Sequence, residues 1–445
     1  MNTVIILLTS TFLSFLCYGL LKRFDFFKQK DDIYTFSFSY LALFGIITVQ
    51  MFLYVVLRIQ MNTYSLLIPW ILVFGFLFVL YRKDSFIFKL TNIRFSAFDK
   101  CLLTMIVLLL IFTGFESVIR PVSAWDAWSN WLLKAKIFYI ENDIAPMFDY
   151  VKSDYPIGIS LFVTFFYFII GKLDDASILI LFFQFYFFLS VVFFSYIRQF
   201  TNNTIALLFT FLLISSQNII RHGGRFEAGQ ADLALGYAIL CCSVVLVDFL
   251  RFKEFKSFII VELFASICGF IKYEGLVFSA IVQLTLLFVV IRGRKFTYLP
   301  GFLPWAIFTG AWMVYKNSHN VISHYIFSDP RFHTERVFFV LSEMAKEFLN
   351  IKNWNLLWVV FIIAIIVCFK RKNFIFLPFF VIVLLQWTSY FLTYLVSPIS
   401  SSEQVPSTID RLYLHLAPLA TLFSSLVISS TLNFKKIPLI SRLTK

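Results

Sequence analysis

Long apolar runs alternate with short polar connections along the whole chain, and the connections are mostly basic. Crossing the hydrocarbon of a bilayer takes roughly 20 apolar residues, somewhat fewer where the bilayer thins. By that measure, membrane helices are expected at about 4 to 22, 33 to 57, 65 to 81, 101 to 119, 156 to 171, 178 to 197, 204 to 219, 231 to 250, 257 to 271, 275 to 291, 299 to 315, 355 to 369, 374 to 396 and 413 to 430. The first run lacks the basic flank and small-residue cleavage site of a signal peptide, so it is expected to remain as an anchor.

Charge orients these helices. The basic clusters Lys22-Arg23, Arg82-Lys83, Arg251 to Lys256, Arg292 to Lys295, Lys370 to Lys372 and Lys435-Lys436 sit between apolar runs, where the positive-inside rule assigns them to the cytoplasm. The loops at 116 to 156, 220 to 231, 272 to 275, 316 to 354 and 397 to 412 then face outside. Parity requires an even number of crossings between 156 and 219. The run at 156 to 171 is only about 24 Å long as a helix, so it is expected not to cross fully. That leaves about thirteen crossings of an all-α polytopic protein. The organisation read from this pattern is three N-terminal membrane helices over 1–100, a membrane module over 101–430 with the large outer loop 116–156, and a basic cytoplasmic tail over 431–445.

Composition agrees. The 445 residues are 60% hydrophobic and 20% aromatic, and a mean hydropathy of +0.84 excludes an ordinary soluble domain. The formal net charge of +13 does not point to nucleic acid, because the cations are spread over the inter-helix clusters. The six cysteines show neither a disulfide framework nor metal-type spacing. The 60 phenylalanines suit lipid-facing helices and suit a biased coding composition equally well, so no mechanism is drawn from them.

The loop at 116–156 carries the first candidate chemistry. Trp125-Asp126-Ala127-Trp128 sets a carboxylate between two indoles just past an apolar run, at the depth where aromatic rings gather and a charge is costly. Asp126 has two readings: a general base beside a lipid-borne substrate, or the N-cap of the amphipathic helix that follows. Asp154-Tyr155-Pro156 reads first as helix start chemistry, with catalytic support by Asp154 as the other reading. The stretch Arg221 to Asp232 combines arginines, a Gly-Gly pair and carboxylates. It suits phosphate recognition by Arg225, with Asp232 orienting substrate or serving its own helix N-terminus. Lys272 and Glu274 interrupt a nearly continuous apolar stretch from 257 to 291, so they either pair with each other or serve a polar cavity. Asp410-Arg411 opens the last run, followed by His415 and Pro418.

Taken in order, WDAWSNWLLKAKIFY at Trp125 to Tyr139, DYPIG at Asp154 to Gly158, GQAD at Gly229 to Asp232, KYEG at Lys272 to Gly275 and DRLYLHLAP at Asp410 to Pro418 resemble the GT-C-type integral-membrane glycosyltransferases. That superfamily includes protein O-mannosyltransferases and lipid A aminoarabinose transferases. The resemblance covers roughly Cys101 to Ser429, and the three N-terminal helices look like an addition to it. It implies a transferase that takes a sugar from a polyprenyl-phosphate or polyprenyl-diphosphate carrier at the outer face of a bacterial inner membrane. The family's acidic base in the first large outer loop maps onto Asp126, and its second acidic residue onto Asp232. Asp154 is kept as a further catalytic carboxylate on its chemistry alone.

In the expected reaction the carrier phosphate is held by Arg225, Lys272 and Arg411, with Glu274, Trp125 and Trp128 as further substrate contacts. No cofactor is required, and a divalent metal is left open because the cations can do the same work. The expected partners are the bilayer, the lipid-linked donor and a saccharide, lipid or protein acceptor. The alternatives are a transporter or flippase for a lipid-linked saccharide, and a polymerase or ligase of such saccharides.

Overall fold

The computed structural model describes residues 1–28, 30–81, 94–150, 152–321, 331–372 and 374–431, and every regular element among them is helical. The tail beyond Thr431 and the Arg82-Lys83 cluster lie outside the described residues. Along the chain come α1 (Asn2–Leu21), α2 (Asp32–Val56), α3 (Thr63–Tyr81) and α4 (Ala97–Ile119). A π-helical turn at Ala127–Trp131 leads into α5 (Leu132–Glu141), followed by α6 (Gly158–Ile170) and α7 (Asp175–Arg198). Helices α8 (Asn203–Ile214) and α9 (Gln217–Gly224) meet at a bend of 71°. Next are α10 (Asp232–Phe252), α11 (Phe255–Ile271), α12 (Tyr273–Arg292), α13 (Leu303–Ser318), α14 (Val337–Phe348) and α15 (Leu357–Lys370). The last two are α16 (Phe374–Val396) and α17 (Ser401–Thr431).

Nine of these helices, α1 to α4, α7, α10, α12, α16 and α17, are long and apolar enough to cross a membrane, and the bent pair α8–α9 makes a tenth if taken as one span. The protein is therefore an integral multi-pass helical membrane protein, with nine or ten candidate spans among the described residues where the apolar pattern predicts about thirteen. The difference comes from the shortest runs. Those at 257 to 271, 299 to 315 and 355 to 369 form helices of 17, 16 and 14 residues, and α6, expected to stop short, has 13. Thirteen residues rise about 20 Å against roughly 30 Å of hydrocarbon.

The chain divides into two compact units. Unit one comprises Met1–Thr91, Thr113–Phe188 and Arg221–His324. Within it α10 is almost wholly enclosed and packs on α11, which in turn packs on α12 and α13, while α1 and α2 pack on α6 and α6 on α5. The three N-terminal helices thus share one packed unit with the segment that carries Asp126 and Asp154. Part of its core is a cluster of Tyr40, Phe44, Phe162 and Phe185. Two buried tyrosines donate to backbone carbonyls, Tyr40 Oη to Leu181 O at 2.9 Å and Tyr237 Oη to Ser37 O at 2.5 Å. Basic residues close several helices, among them Lys22 after α1, Arg251 in α10 and Arg292 in α12, where the helix dipole favours positive charge.

Unit two comprises Asn92–Phe112, Leu189–Ile220 and Tyr325–Lys445. Its axis is α17, buried along most of its length against α8, α14, α15 and α16. Tyr413 anchors that packing: it lies among Phe348 and Trp358, accepts from Trp387 Nε1 and donates to Met344 O. Glu347 accepts from Asn350, Asn353 and Trp354 and so ties the end of α14 to the turn that follows.

Candidate functional site

The first motif places Asp126 at the start of the π-helical turn Ala127–Trp131. Such turns are rare and recur at functional sites, because the wider ring re-aims the side chains around it. Asp126 makes no capping hydrogen bond through its side chain. Its Oδ1 accepts from Lys152 Nζ at 2.9 Å, so the carboxylate is turned towards a cation rather than towards its own helix. Trp125 and Trp128 are exposed beside it, their rings meeting edge to face at 4.4 Å, whereas Trp131 is buried.

Lys152 connects this carboxylate to the interior. It takes a left-handed backbone conformation, φ 62°, and its carbonyl accepts from Lys134 Nζ at 2.7 Å. Lys134 lies on the inner face of α5, 2% exposed, between the rings of Trp131 and Tyr155. Burial pushes its ammonium down to about 7; the Asp154 carboxylate opposes the drop and Lys152 adds to it. Asp154 is itself fully buried, and Tyr273 Oη lies 2.7 Å from its carbonyl and 3.0 Å from its Oδ2. Pro156 does not begin the helix that follows, since α6 starts at Gly158.

The third and fourth motifs meet at Asp232, the first residue of α10 and 0% exposed. Lys272 Nζ bridges it to Glu274, 2.8 Å from Asp232 Oδ1 and 3.0 Å from Glu274 Oε1. His222 Nε2 lies 4.0 Å from Asp232 Oδ2. Lys272 can reach both carboxylates because it stands at the break between α11 and α12 in extended backbone, φ −160°.

Two glycines let these segments touch. Gly229 has φ +97°, and a Cβ there would fall 2.7 Å from Ala127 Cβ, so GQAD lies directly against the π-helical turn. At Gly158 a Cβ would fall 2.5 Å from Phe270 O, which seats DYPIG on the end of α11 just ahead of Lys272.

Arg225 belongs to a neighbouring cluster in the same unit. Its Nε lies 3.1 Å from Glu116 Oε2, Glu116 also pairs with Arg120, and both guanidinium groups lie over Phe226. Glu227 accepts from Arg221 at 2.7 Å and from Gln230. Arg411 lies in unit two on α17, where its N–H donates to Asp410 Oδ1 at 2.8 Å and the Asp410 carbonyl accepts from Asn218. His415 is buried there against Tyr390 Oη at 3.0 Å. Unit one thus brings together Asp126, Asp154, Asp232, Lys272, Glu274 and Arg225, together with Trp125 and Trp128.

Lys134, Lys152, Tyr273, Glu116 and His222 were not singled out by sequence. One of them carried a signal: Lys134 stands three residues after Trp131 and four before Phe138, on the apolar stripe of α5. Among the described residues no group of three or more His, Cys, Asp or Glu side chains is arranged to hold a metal ion. Comparison with protein-family models, curated proteins and solved structures finds no match, and no family is identified.

Chemically the site alternates carboxylates and lysines. A carboxylate beside exposed rings and paired with a lysine can accept a proton. Lysines fixed between carboxylates can share their donors with an arriving anion.

Proposed function

We propose that the protein is an inverting glycosyltransferase of GT-C type, moving a sugar from a polyprenyl-phosphate or polyprenyl-diphosphate carrier to an acceptor at the outer face of a plasma membrane. The observation that carries this reading is the gathering in unit one of four sequence-distant motifs, with Asp126, Asp232 and Lys272 among their charged groups. Asp126 accepts the proton of the acceptor hydroxyl or amine. The acceptor atom attacks the sugar C1, the bond from C1 to the phosphate oxygen breaks, and the carrier phosphate leaves with the bonding electrons. Lys272 and Arg225 neutralise that phosphate, and preorganised cations at a developing charge supply most of the barrier lowering. Trp125 and Trp128 line the approach from the lipid side, and Glu274 holds Lys272. Asp154, enclosed beside Tyr273, supports the site rather than meeting substrate. No step needs a divalent metal. The outward orientation rests on the basic clusters at the other ends of the helices.

The test is transfer of sugar from a synthetic polyprenyl-phosphate donor by membranes matched for protein amount, with Arg225→Ala and Lys272→Ala beside the wild type. Each variant should use donor less well. If both used donor like the wild type, the cation clamp would be wrong; movement of intact lipid-linked saccharide across vesicles without transfer would favour a flippase.

A further inference from the structure

Helices α11 and α12 form a hairpin inside unit one, and a polar side chain from each meets its neighbour within it. Glu262 is 0% exposed and Gln283 9% exposed. Gln283 Nε2 donates to Glu262 Oε2 at 3.1 Å, while Glu262 Oε1 and Gln283 Oε1 are both buried with no donor. No lysine, arginine or histidine acts on the carboxyl among the described residues. The titratable neighbour on the adjoining helix is Cys242 of α10, whose thiol donates to the Val261 carbonyl at 3.7 Å.

An ionised carboxylate buried among apolar helices without a cation partner is costly, so the group favours its neutral form. Here the two orphaned oxygens sit on the two partners of a single existing hydrogen bond. One proton on Glu262 Oε1 answers both needs. The acid O–H then has Gln283 Oε1 to donate to, and acid and amide face each other through two antiparallel hydrogen bonds. Two oxygens are too few for a hard divalent cation, which takes about six.

We propose that Glu262 and Gln283 form a proton-binding site within the α11–α12 hairpin of unit one, with Glu262 as the carboxylic acid and Gln283 as its amide partner. The site is independent of the transfer reaction above and would stand if that reaction were disproved.

Dicyclohexylcarbodiimide, which attacks protonated carboxyl groups in apolar surroundings, tests it on the full chain reconstituted in vesicles. Glu262 should carry the adduct to a similar extent at about pH 5 and about pH 7, whereas an ordinary carboxyl with a pKa of about 4.3 loses about eightyfold of its protonated form over that interval. Glu262→Gln should carry no adduct at that position and should keep its thermal stability, because an amide can replace the acid in both hydrogen bonds. Loss of labelling at pH 7 overturns the proposal, and so does protection by sodium over choline at equal ionic strength, which would mark a metal-cation site. If the reagent labels Glu262 at neither pH, the infrared difference between wild type and Glu262→Gln decides: a protonated-carboxyl band supports the site and an ionised-carboxylate band overturns it.

Discussion

Lys272 Nζ lies 2.8 Å from Asp232 Oδ1, and neither side chain has more than a trace of exposed surface. The pair is unequal, because the same ammonium also lies 3.0 Å from Glu274. Losing the lysine takes a cation from two carboxylates, while losing Asp232 leaves Lys272 the Glu274 carboxylate. Lys272→Met should therefore cost about 3–5 kcal/mol, the range for a buried charge left unpaired, and Asp232→Asn distinctly less. The double variant should recover much of the loss. Thermal or denaturant unfolding of the detergent-purified protein checks this; equal costs for both single variants would mean that Glu274 does not share the lysine.

Lys134 gives a stability that depends on pH. Its folded pKa is about 7 against an ordinary 10.5, with burial as the main cause. Between about pH 7 and about pH 10 the unfolded chain keeps a proton that the folded chain has released. Stability from this group therefore rises with pH across that window, by at most about 1.4 kcal/mol per pH unit, and levels off below it. Lys134→Met should lack that slope. Unfolding of wild type and variant compared at about pH 7 and about pH 9 should show the difference between them widening in favour of the wild type.

The membrane helices were legible because the signal is long: a run such as 231 to 250 states its own burial. The number of crossings was less so, since runs like 355 to 369 sit at the edge of the required length and fold into a helix of 14 residues. In the site, the acidic and basic members of each motif were legible as charges out of place. Their grouping was not, because it depends on close approaches such as Gly229 against Ala127 that leave no periodic trace. Lys134 was passed over because a lysine on an amphipathic helix ordinarily faces water, although its spacing from Trp131 and Phe138 put it on the inner stripe. Arg225 shows the opposite limit: its residue type invited a phosphate, and a carboxylate it pairs with, Glu116, comes from the end of α4, 109 positions away.

The proposed orientation rests on the basic clusters and can be checked without any assay of activity. Cysteines introduced at Ser123 and Ser402 should react with a membrane-impermeant maleimide added outside intact cells, and one at Arg371 only after the membrane is opened. Outside labelling at Arg371 would reverse the topology and remove the outer-face site.

Asp126 carries the sharpest prediction. Its side chain makes no cap bond to the helix that follows, and its Oδ1 faces Lys152 Nζ at 2.9 Å. Asp126→Asn keeps an acceptor oxygen for that lysine and nearly the same shape, so insertion and donor binding should persist. What the amide cannot do is take a proton at the moment of attack. Transfer should fall by about two to four orders of magnitude, the range expected when a positioned acid or base is lost. Were Asp126 only a cap, Asn would serve nearly as well, activity would survive, and stability would change by well under about 1 kcal/mol. The measurement is sugar transfer from a synthetic polyprenyl-phosphate donor, with bound donor lipid quantified by mass spectrometry in the same preparations. Near-normal transfer by Asp126→Asn would shift the base to Asp232. Lost transfer together with lost donor lipid would instead assign Asp126 to binding.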